Sequence, residues 1–531
     1  MKKRIIILSA IMATIAGCAK SDNIASEQEL HIYMTIETAY ANPEPSPQAA
    51  MSKSYLEYAN GNLFDVIWHA GDRIAMVPVG SNGNVETLTE GKYFTTTEGG
   101  QTATFEGETL EAEKYIGMYP VDGLDFIQDE VKVIFKNIYE NQIANKDNLG
   151  KDMLISVSKQ TVKGETMYFY NACGLIRFTI PENLTNITKV AFRGGNGEKL
   201  AGRIKIDYGD EVKTTFQERY IGQKSSNTLT LSNADGSPLT PGTYYMVALP
   251  TKLENGFTVA MHAADGKRYI RSSNSNSNEI ARSGILNLGV LNLSEATPAH
   301  SDLFLMSEGN GWSFEQMSGY PIDPFVFRHG TYLKNGQFKF GTTSGEWTNN
   351  YKALETDNAN YLEYEDAMFV SDYNPDQKWY ITDNSESGKP CKIVMDITTG
   401  VEKMYLTEFN DYEWVRIIGS ATQYGWDLNA DDAKFTSKGD FIHEWTGNLT
   451  AGEFKFSLKN GDAAEEFGRG EWLMATSDSQ TFTTGENLNV LYIDIDKYLG
   501  YDYKWVVSEE DAGNYTISIN TLTEKISIVK N

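Results

Sequence analysis

The chain is poor in the residues that carry redox and metal chemistry: of its 531 residues, three are Cys and six are His. Three Cys are too few for a disulfide framework, and Cys173 and Cys391 lie in strand-like runs that predict buried thiols. No two His residues flank a Glu in the zinc-protease spacing, and neither a Gly-x-Ser-x-Gly elbow nor a nucleotide-binding glycine loop occurs. The sequence therefore predicts a protein that is not an enzyme and carries no metal or other cofactor.

Acidic clusters are the remaining candidates for chemistry. Asp427 lies near Asp431 and Asp432 in the sequence, and Asp494 lies near Asp496. A calcium site and a pair of glycosidase carboxylates are the alternatives here, since two carboxylates need only meet in space to act together. No loop matches the EF-hand pattern, and we interpret these side chains as solvated surface acids.

Excess basic charge is also lacking, since the formal net charge is −26. A charge of this sign repels phosphates and argues against nucleic acid as a partner. The hydrophobic content of 40% and the aromatic content of 12% are typical of folded domains. A chain of this length is too long for one core, and about three to four domains are expected.

No long stretch carries the 3.6-residue period of a helix. Short runs with alternating apolar residues, separated by Gly-rich turns, predict strands instead. Clear examples are 31–36, 131–135, 244–249 and 257–261. The pattern predicts an all-β chain built from antiparallel β-sandwiches in series.

The N-terminus carries the one notable apolar run, and it is too short to span a bilayer. Lys2-Lys3-Arg4 precedes the apolar residues 5–15, and the run ends in Ala16-Gly17-Cys18. This pattern is typical of a bacterial lipoprotein, with a signal peptide over 1–17, lipid on Cys18 and a polar tether over 18–29. We expect attachment to the outer membrane at the cell surface. The alternative is an ordinary secretory signal with an incidental Cys.

The C-terminal part contains an internal repeat, which predicts two copies of one module. Each copy has a Gly-Trp pair, a Phe-Lys-Phe strand and two further Trp residues. In the first copy these are Gly311-Trp312, Phe338-Lys339-Phe340, Trp347 and Trp379, and in the second they are Gly425-Trp426, Phe454-Lys455-Phe456, Trp472 and Trp505.

So many Trp residues suggest a surface that stacks on sugar rings. The C–H face of a pyranose packs on an indole, and the hydroxyls need fixed polar partners. The best predicted platform is Trp472, because it follows a polar Gly-rich loop, and Trp347 is its predicted counterpart. The predicted glycan-binding residues are Trp472, Arg469, Lys455, Trp505, Trp426, Trp347, Trp379 and Lys339. At least half of the Trp residues are nevertheless expected to belong to the core, since small sandwiches usually bury one or two.

The N-terminal half resembles the fimbrillin (Mfa-like) family. The resemblance is carried by Trp68-His69-Ala70-Gly71-Asp72-Arg73-Ile74, Tyr115-Ile116-Gly117-Met118-Tyr119-Pro120, Ala248-Leu249-Pro250 and Leu286-Asn287-Leu288-Gly289, in that order. It implies two transthyretin-like sandwiches, at 30–165 and 166–294, that act as a stalk. Some members of the family form fimbriae after the first strand is removed, so a fimbrial tip or accessory subunit (an adhesin) is the alternative function.

The C-terminal half resembles the SusE/SusF group of starch-utilisation lipoproteins. Gly419-Ser420-Ala421, Gly425-Trp426 and the run 444–456 carry the resemblance, and the first copy departs from it at 307–310 and at His329. It implies Ig-like, carbohydrate-binding sandwiches at 303–407 and 412–531. The implied function is non-catalytic capture of a polysaccharide, starch-like α-glucan in the named family, beside a glycan importer complex.

The lipid anchor gives the first testable prediction. Replacing Cys18 by Ala should abolish incorporation of labelled palmitate in a bacterial host, because the thiol is the acylated group. Replacing Cys173 by Ala should leave labelling unchanged. Equal labelling of the two variants would contradict the anchor.

Overall fold

The computed structural model describes residues 31–40, 55–60, 63–80, 93–121, 133–149, 153–207, 211–217, 225–382, 387–459, 467, 470–494 and 500–531. Cys18, the predicted signal peptide, the predicted tether and Arg469 lie outside these residues. The described part is built from β-strands, with two single-turn 3-10 segments at Glu308–Asn310 and Asp431–Ala433, and this confirms the all-β prediction. It includes no helix long and apolar enough to cross a membrane.

The first unit is a sheet that closes on itself. Its strands follow the order β10-β12-β1-β6-β5-β4-β7-β11, and β10 also pairs with β7. The strands up to residue 171 are β1 (His31–Tyr40), β2 (Tyr55–Asn60), β3 (Leu63–Ile67), β4 (Arg73–Val79), β5 (Phe94–Thr95), β6 (Thr102–Leu110), β7 (Lys114–Tyr119), β8 (Val133–Ile138), β9 (Asn141–Ile143), β10 (Ser156–Ser158), β11 (Thr161–Val162) and β12 (Met167–Asn171).

The interior of this sheet is organised around Trp68, which is fully buried. Its ring makes edge-to-face contacts with Phe105, Tyr119 and Phe169 at centroid distances of 4.9, 5.7 and 5.3 Å. Such T-shaped pairs are a preferred geometry of aromatic rings. The Trp68 motif that carries the family resemblance thus has a packing role.

The second unit combines a six-stranded sheet, β24-β21-β20-β14-β17-β9, with the three-stranded sheets β18-β13-β23 and β16-β15-β8 and the pair β19-β22. Its own strands are β13 (Gly174–Ile180), β14 (Ile187–Gly194), β15 (Gly202–Asp207), β16 (Lys213–Phe216), β17 (Thr228–Ser232), β18 (Gly242–Ala248), β19 (Thr251–Leu253), β20 (Phe257–Ala263), β21 (Arg268–Ser273), β22 (Asn278–Ile280), β23 (Ile285–Val290) and β24 (Ser294–Ala296).

The expected boundary at 165/166 does not divide these sheets. Strands β8 and β9, which precede it, pair with β15 and β17, whereas β12, which follows it, pairs with β1 and β10. The chain enters the second unit before it completes the first. Sequence pattern locates strands but not their partners, and this interleaving was therefore missed.

The first copy of the C-terminal repeat, which we call module 1, packs two sheets face to face. One has the path β26-β25-β29-β30-β32 with β33 beside β29 and β31 beside β33, and the other is β27-β28-β34-β35. The strands are β25 (Phe304–Ser307), β26 (Glu315–Gln316), β27 (Ser318–Tyr320), β28 (Asp323–Leu333), β29 (Gly336–Gly341), β30 (Asn350–Ala353), β31 (Ala359–Asn360), β32 (Ala367–Val370), β33 (Trp379–Ile381), β34 (Lys389–Asp396) and β35 (Lys403–Glu408).

The second copy of the repeat, which we call module 2, has the same arrangement of two sheets. Its sheets are β41-β44-β39-β40-β43, with β36 beside β39, and β37-β38-β45-β46-β42. The strands are β36 (Trp414–Ile418), β37 (Thr436–Gly439), β38 (Ile442–Leu449), β39 (Gly452–Lys459), β40 (Glu471–Met474), β41 (Gln480–Thr481), β42 (Gly485–Asn489), β43 (Leu491–Asp494), β44 (Trp505–Val507), β45 (Gly513–Asn520) and β46 (Lys525–Lys530).

Buried ions join the second unit to module 1. The Arg193 guanidinium, about 5% exposed, donates to Asp366 Oδ1 at 2.9 Å, Glu402 Oε2 at 3.2 Å and Thr228 Oγ1 at 2.7 Å. It also donates to the backbone oxygens of Ala367 and Glu402. An arginine whose donors are this fully paired tolerates burial. The second unit and module 1 therefore meet in a fixed arrangement.

Modules 1 and 2 meet through both charge and close backbone packing. Glu524 accepts hydrogen bonds from Arg328 at 2.7 Å and from Lys392 at 2.6 Å. A Cβ at Gly330 would lie 1.8 Å from the backbone oxygen of Leu522, so only glycine fits there. Beside these contacts, Tyr320 of module 1 packs against the apolar side chains of the first sheet of module 2.

We expect Arg193→Met to lower the free energy of unfolding by about 3–5 kcal/mol, because it leaves Asp366 and Glu402 buried without their cation. Calorimetry would show a lower melting temperature for the transition that contains the second unit and module 1. Lys267→Met, which breaks an ion pair whose side chains are 47% and 54% exposed, should shift it little. Equal shifts would contradict the role of this junction.

Candidate aromatic binding site

Two of the predicted platforms, Trp379 and Trp505, are core residues. They are 0% and 3% exposed. Trp379 stacks on Phe338 at 5.6 Å, and Trp505 stacks on Phe454 at 5.3 Å, in the same register of each module. A ring without accessible surface offers no face to a sugar. The expectation that these rings are exposed was therefore wrong, because both stack inside the sandwich.

Trp472, the best predicted platform, is fully buried as well. The Lys455 ammonium lies 4.1 Å from its ring centroid, and Phe467 stacks on it at 6.2 Å. It shares an apolar cluster with Tyr320 of module 1, against which Ile322 also packs. The expectation of an exposed ring at Trp472 was wrong because the contact between modules covers it, which a single-module pattern does not reveal.

Strand register explains why Trp347 is exposed to solvent whereas Trp472 is buried. In module 2, Trp472 pairs with Ser457. The counterpart of Ser457 in module 1 is Gly341, and Gly341 pairs with Asn350 and not with Trp347. Trp347 lies three residues earlier, in the loop before β30, and is 43% exposed. The two Trp residues are thus not counterparts, and the loop position leaves Trp347 open to solvent.

The structure groups Trp347 with other aromatic side chains around Lys339. Its ring lies 6.2 Å from Trp312 at an interplanar angle of 55° and 5.8 Å from Phe314 at 77°. The Lys339 ammonium lies 5.6 Å from the Trp347 ring and 5.7 Å from the ring of Tyr373, which is 49% exposed. We call Trp312, Phe314, Trp347 and Tyr373 the aromatic patch.

The loop that carries Trp312 is held in an unfavourable backbone conformation. Trp312 has φ = 63°, directly after Gly311 at φ = 69°. A bulky residue in the left-handed region costs about 1–3 kcal/mol. The loop is held by a hydrogen bond from Trp312 N to Ser307 O at 2.7 Å and by the reciprocal cap between Ser307 and Asn310. Strain maintained in this way is typical of functional loops.

Beneath the aromatic patch, Asp376 joins two lysines. It accepts from Lys339 at 2.7 Å and forms an ion pair with Lys378 at 2.9 Å. Partial burial alone would raise the pKa of Asp376, but the hydrogen bonds from Lys339 and Lys378 outweigh it and lower that pKa to about 2. The carboxylate therefore stays ionised over the physiological pH range and fixes the loop that carries Tyr373.

Module 2 contains the same ionic arrangement. Asp502 accepts from Lys455 at 2.6 Å and from Lys504 at 2.7 Å. Burial would raise the pKa of Asp502, but these two lysines lower it. Since Lys339 and Lys455 are 1% and 4% exposed, they act mainly by ordering the loops above them.

Among the residues that the structure describes, module 2 has a smaller aromatic surface than module 1. Trp426 is half-buried, lies 6.4 Å from Phe467, which is 52% exposed, and has the Lys504 ammonium 5.8 Å from its ring. Trp426 and Trp312 follow the matching Gly residues of the repeat. We call Trp426, Phe467 and Lys504 the module 2 rim. Within the described ranges, the first copy thus has the larger exposed aromatic surface.

Sequence reasoning missed Trp312, Phe314, Tyr373 and Phe467 as site residues. The Gly-Trp repeat marked Trp312 only as a sign of duplication. Phe314, Tyr373 and Phe467 lie in loops without a repeated motif. Tyr373 and Phe467 are singled out by their proximity to Lys339 and Lys455, and Phe314 by its contact with the Trp347 ring.

Among the described residues, no group of three or more His, Cys, Asp or Glu side chains is placed to hold a metal ion. Asp431, from one of the acidic clusters, forms an exposed ion pair with Lys434.

No protein-family model and no curated protein matches the chain. In structure it is similar to a candidate cell adhesion protein from Bacteroides uniformis, at 12% identity and a TM-score of 0.29, covering 43% of this chain and 91% of that one. It is also similar to SusF from Bacteroides thetaiotaomicron, at 11% identity and a TM-score of 0.20, covering 67% and 76%. A fimbrial protein from Bacteroides ovatus matches at 12% identity and a TM-score of 0.21, covering 50% and 53%.

These neighbours are described as a cell adhesion protein, a SusF protein and a fimbrial protein. At such low identities and TM-scores, they do not decide the ligand or the partners, which have to be inferred from the residues of the chain itself.

The buried and exposed Trp residues should respond differently to truncation. Trp379→Ala should lower the free energy of unfolding by about 3–5 kcal/mol, because it leaves a cavity in the core of module 1. Trp347→Ala should change it by less than about 1 kcal/mol. Denaturant titration followed by circular dichroism measures both, and a similar loss in the two variants would contradict this assignment.

Proposed function

We propose that this chain is a lipid-anchored, non-catalytic protein of the cell surface that binds polysaccharide through the aromatic patch of module 1 and the rim of module 2. The single observation that supports this most is the exposed aromatic patch above a buried lysine–aspartate cluster. In this proposal the N-terminal units hold the binding modules away from the membrane, where they capture glycan for an outer-membrane importer.

The chemistry of the patch suits carbohydrate. The Trp347 and Tyr373 side chains leave 43% and 49% of their surface to solvent, although such rings are usually buried. The C–H face of a sugar ring gains both buried apolar area and directional attraction on an aromatic face. Polar groups nearby, such as Lys378, can donate to the hydroxyls at the edge of the ring.

The angle between the rings suits a curved ligand. Trp312 and Trp347 are inclined by 55°, so two sugars stacked on them do not lie in one plane. This is compatible with the starch-like α-glucan that the family resemblance implies, and amylopectin therefore belongs in any test panel.

Two sites on one chain favour a polymer over a short sugar. Once one module holds a segment of the polysaccharide, binding at the other module becomes intramolecular and is favoured by effective concentration. Weak individual contacts are then sufficient to retain a long chain.

The test is affinity electrophoresis of the full chain, made soluble by Cys18→Ser, in gels that contain amylopectin, pullulan, xylan, mannan or pectin. We expect at least one polysaccharide to retard the protein. The double variant Trp312→Ala with Trp347→Ala should weaken that retardation roughly five- to 150-fold, since the two aromatic contacts together contribute about 1–3 kcal/mol.

The matched control removes two exposed aromatic residues of the N-terminal half, Tyr139 and Tyr168, which are 62% and 49% exposed. Their replacement by Ala should not change retardation. Equal effects of the two pairs, or no retardation by a broad panel, would contradict the proposal. Release of free sugar from any of these substrates would indicate a glycosidase instead.

A further inference from the structure

Lys352 is a buried cation under the aromatic patch that the proposed function does not use. Its side chain is 0% exposed. The ammonium donates to the backbone oxygens of Tyr373 at 2.6 Å and Pro375 at 2.7 Å, and it lies 3.7 Å from Asp376 Oδ1. An ammonium has three donors, and these three oxygens surround it.

A buried ammonium is costly, and the oxygens that contact the Lys352 ammonium all belong to one loop. Burial lowers the pKa of Lys352, and the nearby charge of Lys339 adds to this effect. The compensating oxygens belong to residues 371–378, the Tyr373 loop, which joins β32 to β33. Lys352 thus connects a rigid strand to the loop that carries one of the two most exposed rings of the patch.

The position of Lys352 within the sheet can be compared between the modules. Phe340 pairs with Tyr351, and Phe456 pairs with Leu473, so the next residues along the strands, Lys352 and Met474, are counterparts. Met474 is fully buried in the apolar cluster between the modules. Module 2 therefore has a methionine where module 1 has the cation.

We propose that Lys352 is a positioning residue: it holds Tyr373 as the second wall of the glycan site of module 1, opposite Trp347, and its absence from module 2 confines this two-walled site to module 1. This inference rests on the proposed function for its ligand. Its structural part, the control of the Tyr373 loop by Lys352, does not depend on any ligand.

The first test needs no glycan and uses Lys352→Met, which installs the residue that module 2 has. The amides of residues 371–374 and 376–378 should exchange with deuterium at least about tenfold faster than in the parent, because the loop loses the two hydrogen bonds that Lys352 donates to its backbone oxygens. Lys334→Met, an exposed lysine of the same module, should leave their exchange unchanged. Equal exchange in Lys352→Met and the parent would overturn the proposal.

The second test measures coupling. Lys352→Met and Tyr373→Ala should each weaken retardation by the best polysaccharide roughly three- to tenfold, and the double variant should be no weaker than either single variant. When Lys352→Met is combined with Trp312→Ala, the factors by which the two single variants weaken retardation should instead multiply. If the losses of Lys352→Met and Tyr373→Ala multiply, Lys352 acts through general stability and not through Tyr373.

The outcomes separate the two proposals. A parent chain that no polysaccharide retards would contradict the proposed function, while the exchange experiment still decides the role of Lys352. Where Lys352→Met does not fold, as shown by its melting curve, Lys352→Gln replaces it. Its single amide can reach only one of the two carbonyls, so it should show the same faster exchange and the same coupling to Tyr373.

Discussion

Strand alternation at Phe338-Lys339-Phe340 and Phe454-Lys455-Phe456 is the constraint on which both modules depend. The two Phe rings of each strand enter the core and meet the Trp of the neighbouring strand, so the Lys between them must point to the opposite face of the sheet. That face is covered by loops, and a covered ammonium requires a carboxylate. Asp376 and Asp502 meet this requirement, and the loops that carry them are fixed as a result.

The two modules have used this shared geometry differently. In module 1 the covering loops carry Trp347 and Tyr373, which remain open to solvent. In module 2 the same face holds Trp472 and Met474, and the β27–β28 hairpin of module 1 packs onto it. Module 1 thus keeps this surface partly open to solvent, whereas module 1 covers most of the corresponding surface of module 2, with the module 2 rim at its edge.

The charged junctions make the arrangement of the units specific. Arg193 reaches from the second unit into module 1, and Glu524 reaches from module 2 to Arg328 and Lys392. Buried ion pairs contribute modestly to net stability, but breaking one is costly, because the remaining charge stays unpaired. Modules 1 and 2 are therefore held in a defined orientation relative to the second unit.

The amino-acid sequence by itself determined the all-β class, the duplicated modules and the presence of sugar-compatible aromatic residues, because alternation, turn residues and repeats are local properties of the chain. Strand alternation in the sequence likewise requires Lys339 and Lys455 to lie on the face away from the Phe rings. Which Trp rings are exposed was decided only by tertiary structure. Exposure of Trp472 depends on a neighbouring module, exposure of Trp347 depends on the register of β29 with β30, and the interleaving across 165/166 depends on which strands pair. These are contacts between distant residues, and no local pattern encodes them.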